Sequence, residues 1–298
     1  MAEKEGGELL EILGIAFGDL YNPTDTRVAL SSPEFNSADC FIAEQAGSVI
    51  GSVAVTSLAR SFWFVIRYLA VAARADRVEI ARALVQKALE HARAKGAVSI
   101  RATNPAVEPY VEVYREFGFA PVRKDFRITW ELDAGRQVIV ELPLRVLEVS
   151  ETNVATAADL FVRTLTPLWD WRTEEHGGPE AEALSFRNGL RRGEKWFLCL
   201  LNDEPVGLTG MMVDFYKPGW ARFRGAYVAP ENRGRGVGLS VMSEAMRLAR
   251  SFGQNRMTIY TFSFLDRLAP GAGLYLRSGG MVDAEYVQLK LPVLASPS

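Results

Sequence analysis

At 298 residues and 48% apolar, the chain has material for two hydrophobic cores, the usual outcome once one core would exceed domain size. Its formal net charge of -2 gives no basic stripe of the kind a nucleic-acid footprint needs, so no nucleic-acid partner is expected. The two cysteines, Cys40 and Cys199, stand far apart in apolar runs; this argues against a disulfide framework or a cysteine-rich metal site and for buried free thiols in a reducing cytoplasm.

The elements follow in chain order. The polar, acidic start M-A-E-K-E-G-G-E has no apolar leader behind it, so no signal segment is expected. Asp39–Glu44 and Ser48–Ser57 read as strands around a Gln45–Gly47 turn, and Trp63–Val71 as a third. The longest apolar region, residues 48–73, is broken by Arg60 and Arg67. It is too interrupted to span a bilayer, which leaves a cytoplasmic protein with no membrane partner as the expectation. Val78–Lys95 carries apolar residues at 81, 84, 85, 88 and 92, the helical period, and Gly96 stops it. Val98–Ala102 is a strand, Val107–Phe117 a helix and Arg123–Glu131 a closing strand. The segment 134–144, with Gly135 and Pro143, reads as a boundary.

Beyond it, Trp196–Leu201 and Val206–Val213 form a hairpin around Asn202–Pro205, and Ala221–Val228 is the next strand. Val237–Phe252 is a helix with apolar residues at 237, 241, 245, 248 and 252, ended by Gly253. Met257–Thr261 is a strand, a short helix runs to Arg277, and Glu285–Leu291 is the last strand. The two halves therefore share one order of elements. Displaced by 157 residues, Trp63 meets Trp220, Arg67 meets Arg224, Val71 meets Val228 and Gly96 meets Gly253. At a displacement of 161, Tyr114 meets Tyr275 and Gly118 meets Gly279. Antiparallel strands followed by strand–helix–strand–helix–strand imply an α/β (α+β) fold. Two tandem domains are expected, residues 1–138 and 143–298, each a mixed, mostly antiparallel sheet flanked by helices.

The chemistry concentrates in Val228-Ala229-Pro230-Glu231-Asn232-Arg233-Gly234-Arg235-Gly236-Val237-Gly238, directly after a strand and before a helix. A helix start leaves backbone N–H groups without partners, and the helix dipole adds positive character there. Glycines let those N–H groups converge on a ligand, which makes an anion cradle. Arg233 and Arg235 add mobile positive charge. A Walker A loop requires Lys and Ser/Thr that this segment lacks, and the glycines run G-x-G-x-G where a dinucleotide fingerprint runs G-x-G-x-x-G.

Residue by residue the segment resembles the coenzyme A loop of the GNAT superfamily of N-acetyltransferases, with Val228, Pro230, Arg233, Gly234, Gly236 and Gly238 on family positions. The resemblance covers residues 145–290. It implies that Ala226, Tyr227 and Val228 flank the pantetheine arm, that Arg233, Gly234, Arg235, Gly236, Val237 and Gly238 hold the pyrophosphate, and that Tyr275 assists departure of the thiolate. Acetyl-CoA is then the acyl donor, no metal is called for, and the acceptor is a small-molecule or peptide amine. The protein is expected to act as a monomer or homodimer. Gly280 stands where the family usually has Phe, and Ile259-Tyr260-Thr261-Phe262-Ser263 lacks an Asn that many relatives carry. A general base is not readable: Asp214, Glu174 and Glu175 are candidates. The acceptor region implied by the resemblance, residues 153–191, contains Trp169, Trp171, Glu174, Glu175 and His176; its aromatics and carboxylates suit a cation or a domain interface.

At the corresponding place the N-terminal half has Ala73, Asp76, Arg77, Glu79 and Ala81. It has no glycine cradle, and acids stand where a pyrophosphate would lie. It is expected to be a degenerate copy without coenzyme, with Tyr114 a packing residue and His91 structural. Tandem architecture of this kind is similar to mycothiol synthase. The principal alternative is a non-catalytic acyl-CoA sensor or scaffold; a nucleotide-phosphate binder is a weaker one.

Overall fold

The computed structural model describes residues 3–30, 36–58, 62–72, 76–132, 142–165 and 177–291. Its contacts separate two units that are not chain halves. The first comprises Met1–Phe126, Ser263–Arg267 and Ala284–Ser298; the second comprises Arg127–Phe262 and Leu268–Asp283.

In the first unit, helices α1 (Glu3–Phe17) and α2 (Pro23–Leu30) precede strands β1 (Cys40–Gln45), β2 (Ser48–Ser57) and β3 (Trp63–Val71). Helix α3 (Arg77–Ala94), strand β4 (Ser99–Pro105), helix α4 (Tyr110–Glu116) and the start of β5 (Ala120–Glu131) follow. The sheet order is β1-β2-β3-β4-β11, where β11 is Met281–Leu291. Pairing is antiparallel except for β3 with β4, which run parallel. Ala46 and Gly47 both have positive φ, 52° and 77°, the combination that lets a two-residue turn follow the strand twist. Helix α4 starts at Tyr110 and not at Val107, because a residue before proline is pushed out of the helical region and Pro109 takes the cap position.

The second unit holds the end of β5, strand β6 (Arg145–Glu148), helices α5 (Val154–Thr164) and α6 (Pro179–Arg191), and strands β7 (Lys195–Leu201), β8 (Glu204–Lys217) and β9 (Trp220–Val228). Helix α7 (Val237–Ser251), strand β10 (Arg256–Phe264), helix α8 (Pro270–Arg277) and the start of β11 complete it. The order is β5-β10-β9-β8-β7-β6. Asn202 and Asp203 repeat the positive-φ pair of the first hairpin. Both units thus carry the mixed, mostly antiparallel sheet flanked by helices.

The closing strands are exchanged. The end of β5 belongs to the second unit and the end of β11 to the first, where Tyr286 to Leu291 pair with Pro105 to Ile100. A division between 138 and 143 does not describe the packing, because strand pairing between segments so far apart leaves no local pattern; the linker itself, residues 133–141, lies outside the described residues. Cys199 is buried and its thiol is pushed up to about 12 by burial. Cys40, expected to be buried, is partly exposed.

Candidate active site

Strands β9 and β10 are paired in parallel only where Trp220–Arg222 meets Arg256–Thr258. Beyond that point they run on to Val228 and Phe264, leaving an opening between them. The bend begins at a bulge. Gly210 pairs with Gly225 and Met211 with Phe223, so Arg224 is an extra residue on β9, and an extra residue bends its strand. Gly225 has φ of 133°, and a Cβ there would lie 2.7 Å from the Tyr227 ring, so no other residue fits. Thr209 Oγ1 donates to the Gly225 carbonyl at 3.0 Å and the Tyr227 hydroxyl donates to the Arg224 carbonyl at 2.9 Å.

Past the bulge the Ala229 N–H bonds the Val206 carbonyl at 2.9 Å. Alternation along the strand then turns the N–H groups of Val228 and Ala226 away from β8 and into the opening. The Ala226 N–H meets the Tyr275 hydroxyl oxygen at 3.4 Å. Tyr275 projects from α8, is 5% exposed, and packs edge-on against Trp130 and Phe223 at 5.7 and 5.9 Å. Burial, reinforced by Tyr227, raises its pKa well above the usual phenol value, so at neutral pH it carries its proton. Gly280 is explained by the same packing. A Cβ there would lie 2.5 Å from Ile128 and 2.8 Å from Trp130, so these two side chains leave no room for one at this position.

The loop after β9 ends at Gly236, the N-cap of α7, with φ of 80°; Gly234 has φ of 73°. Among the described residues no side chain caps α7, and its first turn has no acid. Its leading N–H groups therefore face outward as an anion site. The three glycines differ in their reasons. Gly234 faces open space, whereas a Cβ on Gly238 would press on Leu274 at 3.3 Å, so Gly238 serves close packing of α7 on α8.

The two arginines separate. Arg235 is exposed. Arg233, expected to be mobile charge, is a strut: its Nε donates to the Val228 carbonyl at 3.1 Å and its Nη2 to the Thr164 carbonyl at 2.6 Å. The last carbonyls of α5 have no helical partner and attract a cation. Asp214 lies at the opposite end of β9, by the 217–220 turn. Its carboxylate accepts from Gly219 N–H at 2.7 Å and Gln254 Nε2 at 2.9 Å, and these bonds, Gln254 foremost, lower its pKa. It is not brought together with Tyr275. Trp169, Trp171, Glu174, Glu175 and His176 lie outside the described residues.

The chain matches the acetyltransferase (GNAT) family over residues 8–119 and 163–278, more than half its length. It belongs to the GNAT family. Its fold is similar to that of a GCN5-related N-acetyltransferase from Sphaerobacter thermophilus, at 17% identity and a TM-score of 0.71, covering 96% of this chain and 92% of that one. It is also similar to a tandem GNAT protein from the clavulanic acid biosynthesis pathway, at 16% identity and a TM-score of 0.67, covering 100% and 97%. A GNAT-family acetyltransferase from Colwellia psychrerythraea gives 13%, 0.60 and 96% of both chains. No functionally curated protein matches the sequence.

The first GNAT unit repeats the opening and fills it. Strands β3 and β4 pair in parallel only over Trp63–Ile66 and Ser99–Ala102. The Tyr110 hydroxyl then accepts the Val71 N–H at 3.0 Å and donates to the Val71 carbonyl at 3.2 Å. Arg77 donates to the same hydroxyl through Nε and Nη2 at 3.0 and 2.8 Å. In the internal repeat Tyr110 corresponds to Gly271 and Arg77 to Gly234. Tyr114, the counterpart of Tyr275, is fully buried and its pKa is raised by burial. His91 ties α3 to the start of β1 through Asp39 at 2.7 Å.

Sequence reasoning missed a small polar cavity of about 90 Å³ beside Tyr227, lined by Phe161, Glu182, Phe186, Glu194, Trp196 and Arg224. Glu194 sits in Arg-Gly-Glu-Lys, which reads as a solvated turn; the signal was the pair of glycines, Gly189 and Gly210, that make room for it and for Trp196. Among the described residues no group of three or more His, Cys, Asp or Glu is placed to hold a metal ion, and no helix is long and apolar enough to cross a membrane.

Proposed function

We propose that this GNAT protein is an N-acetyltransferase with one active site, in the second unit, where acetyl-CoA donates its acetyl group to an amine. The observation that carries the reading is the opening between β9 and β10. It presents the Val228 and Ala226 N–H groups and the Tyr275 phenol, and it leads to an uncapped helix start with glycines at Gly234 and Gly236.

The coenzyme, when bound, supplies an acetyl group activated as a thioester. The residues present fit it. The leading N–H groups of α7 and Arg235 suit the pyrophosphate, and the open space at Gly234 admits it. The Val228 N–H, aimed into the opening, suits the thioester carbonyl; such a donor contributes roughly 3 to 4 kcal/mol to the barrier. Tyr275 holds a proton that its bond with Ala226 does not use, because there its oxygen is the acceptor. A buried, protonated phenol suits proton delivery to the departing sulfur. The acceptor nitrogen gains the acetyl group and gives up one proton to solvent or a base.

The first unit serves as a non-binding partner domain in this reading. Tyr110 and Arg77 already take up the Val71 amide and the space beside it, so a coenzyme would have to displace both.

Calorimetry with coenzyme A and a thioester-consumption assay across polyamines, amino acids, aminoglycosides and peptides test the proposal. One coenzyme should bind per chain, Gly236→Glu should abolish binding, and at least one amine should drive consumption. Binding that survives Gly236→Glu would refute the site. Binding without consumption by any amine would favour an acyl-CoA sensor.

A further inference from the structure

The buried carboxylate of Glu194 has no part in the chemistry above, and its surroundings are specific. Glu194 is 6% exposed, and a buried charge is costly unless it is paired. One oxygen, Oε2, accepts from Trp196 Nε1 at 3.0 Å and lies 3.2 Å from Arg224 Nε. Two glycines make the room. A Cβ on Gly189 would overlap the carboxylate, and one on Gly210 would lie 2.5 Å from the Trp196 ring.

Arg224 is the extra residue of the β9 bulge. It is held at both ends, its guanidinium by Glu194 and its carbonyl by the Tyr227 hydroxyl. Two residues later the chain offers the Ala226 and Val228 N–H groups to the opening.

The first unit carries a related kink. There Ser52 Oγ donates to the Tyr68 carbonyl at 3.0 Å, as Thr209 does to Gly225, and Arg67 stands at the place of Arg224. The tyrosine clasp is missing there: Ala70 occupies the place of Tyr227 in the repeat, and by the hairpin register Ala38 occupies that of Glu194. Among the described residues, a tyrosine hydroxyl bonded to the bulge carbonyl is found in the second unit.

We infer that Glu194 is a positioning residue, acting through Arg224 to hold the Ala226–Val228 amides in line with the acetyl group. The inference rests on the acetyltransferase reading for its kinetic consequence but not for its structural one. In Glu194→Gln the amide side chain still accepts from Trp196 but no longer attracts Arg224 by charge. Hydrogen exchange across residues 223–229, measured by mass spectrometry without ligand, should accelerate by about tenfold as local opening becomes easier. With acetyl-CoA and a competent amine, kcat should fall by about tenfold for a sub-ångström misplacement, with KM for acetyl-CoA within about twofold of wild type. Arg224→Gln should behave the same way, and the double variant should be no worse than either single one, since the pair acts as a unit. Arg224→Gln also serves should Glu194→Gln fail to fold. Unchanged exchange at 223–229, an unchanged kcat, or additive losses in the double variant would overturn the inference. A wild-type protein that consumes no thioester would overturn the proposed reaction instead, and the exchange measurement would still decide on Glu194.

Discussion

Gly271→Tyr transplants the filled opening of the first unit into the second. Gly271 is the second residue of α8, and a Cβ there meets only the Tyr275 ring at 3.7 Å and Thr261 Oγ1 at 4.0 Å, both ordinary contacts. Its counterpart Tyr110 is fully buried and bonded to the Val71 amide. An introduced ring that follows the same path would take the Val228 N–H and occupy the pantetheine space. Burying an aromatic side chain contributes about 1.5 to 3 kcal/mol. A ligand must reverse that burial to enter, so Kd for coenzyme A should rise about 10- to 140-fold at 1.4 kcal/mol per tenfold. Helix propensity moves the other way: a non-glycine residue in α8 recovers about 0.5 kcal/mol. The unliganded variant should therefore melt at or above the wild-type temperature while binding worse. Calorimetric titration with coenzyme A and a thermal melt of the same sample measure both, and Gly271→Ala, which adds a Cβ without the ring, should leave Kd within about twofold. A folded Gly271→Tyr variant with wild-type affinity would refute the comparison between the units, and so would a variant that melts well below wild type.

Tyr275→Phe keeps the contacts to Trp130 and Phe223 and removes only the hydroxyl. Coenzyme affinity and melting temperature should stay close to wild type while kcat falls about 10²-fold or more, read from steady-state thioester consumption. Gly210→Ala should destabilise by about 1 to 3 kcal/mol in urea titration, since its Cβ would lie 2.5 Å from the Trp196 ring. The Cys199 thiol, pushed from 9.0 to about 12 by burial, binds its proton more tightly folded than unfolded. Its contribution is complete below pH 9 and is lost as pH rises towards 12, by up to about 1.4 kcal/mol per pH unit. Cys199→Ala should flatten the fall of stability between pH 9 and 11 by that amount, seen in denaturant melts at stepped pH.

Much of this was legible in the sequence. The apolar period of residues 237–252, the glycine stops and the V-x-P-x-x-R-G-x-G-x-G run place α7 and its cradle to within a residue or two. The halves' shared order follows from local patterns that a short window can hold. Helix α1 was not legible because Gly6, Gly7 and Gly14 dilute its helical propensity, nor was β6, which is four residues long. The exchange of closing strands was invisible because a strand's sequence specifies a face and a length but not a distant partner. Arg233 was misjudged for a related reason: its role depends on the end of α5, whose Thr164 carbonyl it meets only in three dimensions.

The reason for the silence proposed for the first unit changes most. In sequence two obstacles appear at the loop, side chains in place of the cradle's glycines and the charges of Asp76 and Glu79 set against a pyrophosphate. In the structure Glu79 is an exposed partner of Arg82 at 3.2 Å, where screening leaves little repulsion. The substitutions with direct steric consequence are Tyr110 and Arg77, which stand where the second unit has Gly271 and Gly234 and which bond one another beside Val71. A repelled ligand can be recovered by raising the salt concentration; an occupied amide cannot. Removing Asp76 and Glu79 alone should therefore leave the chain binding a single coenzyme at any ionic strength, and a second equivalent bound by that double variant in calorimetry would return the explanation to charge.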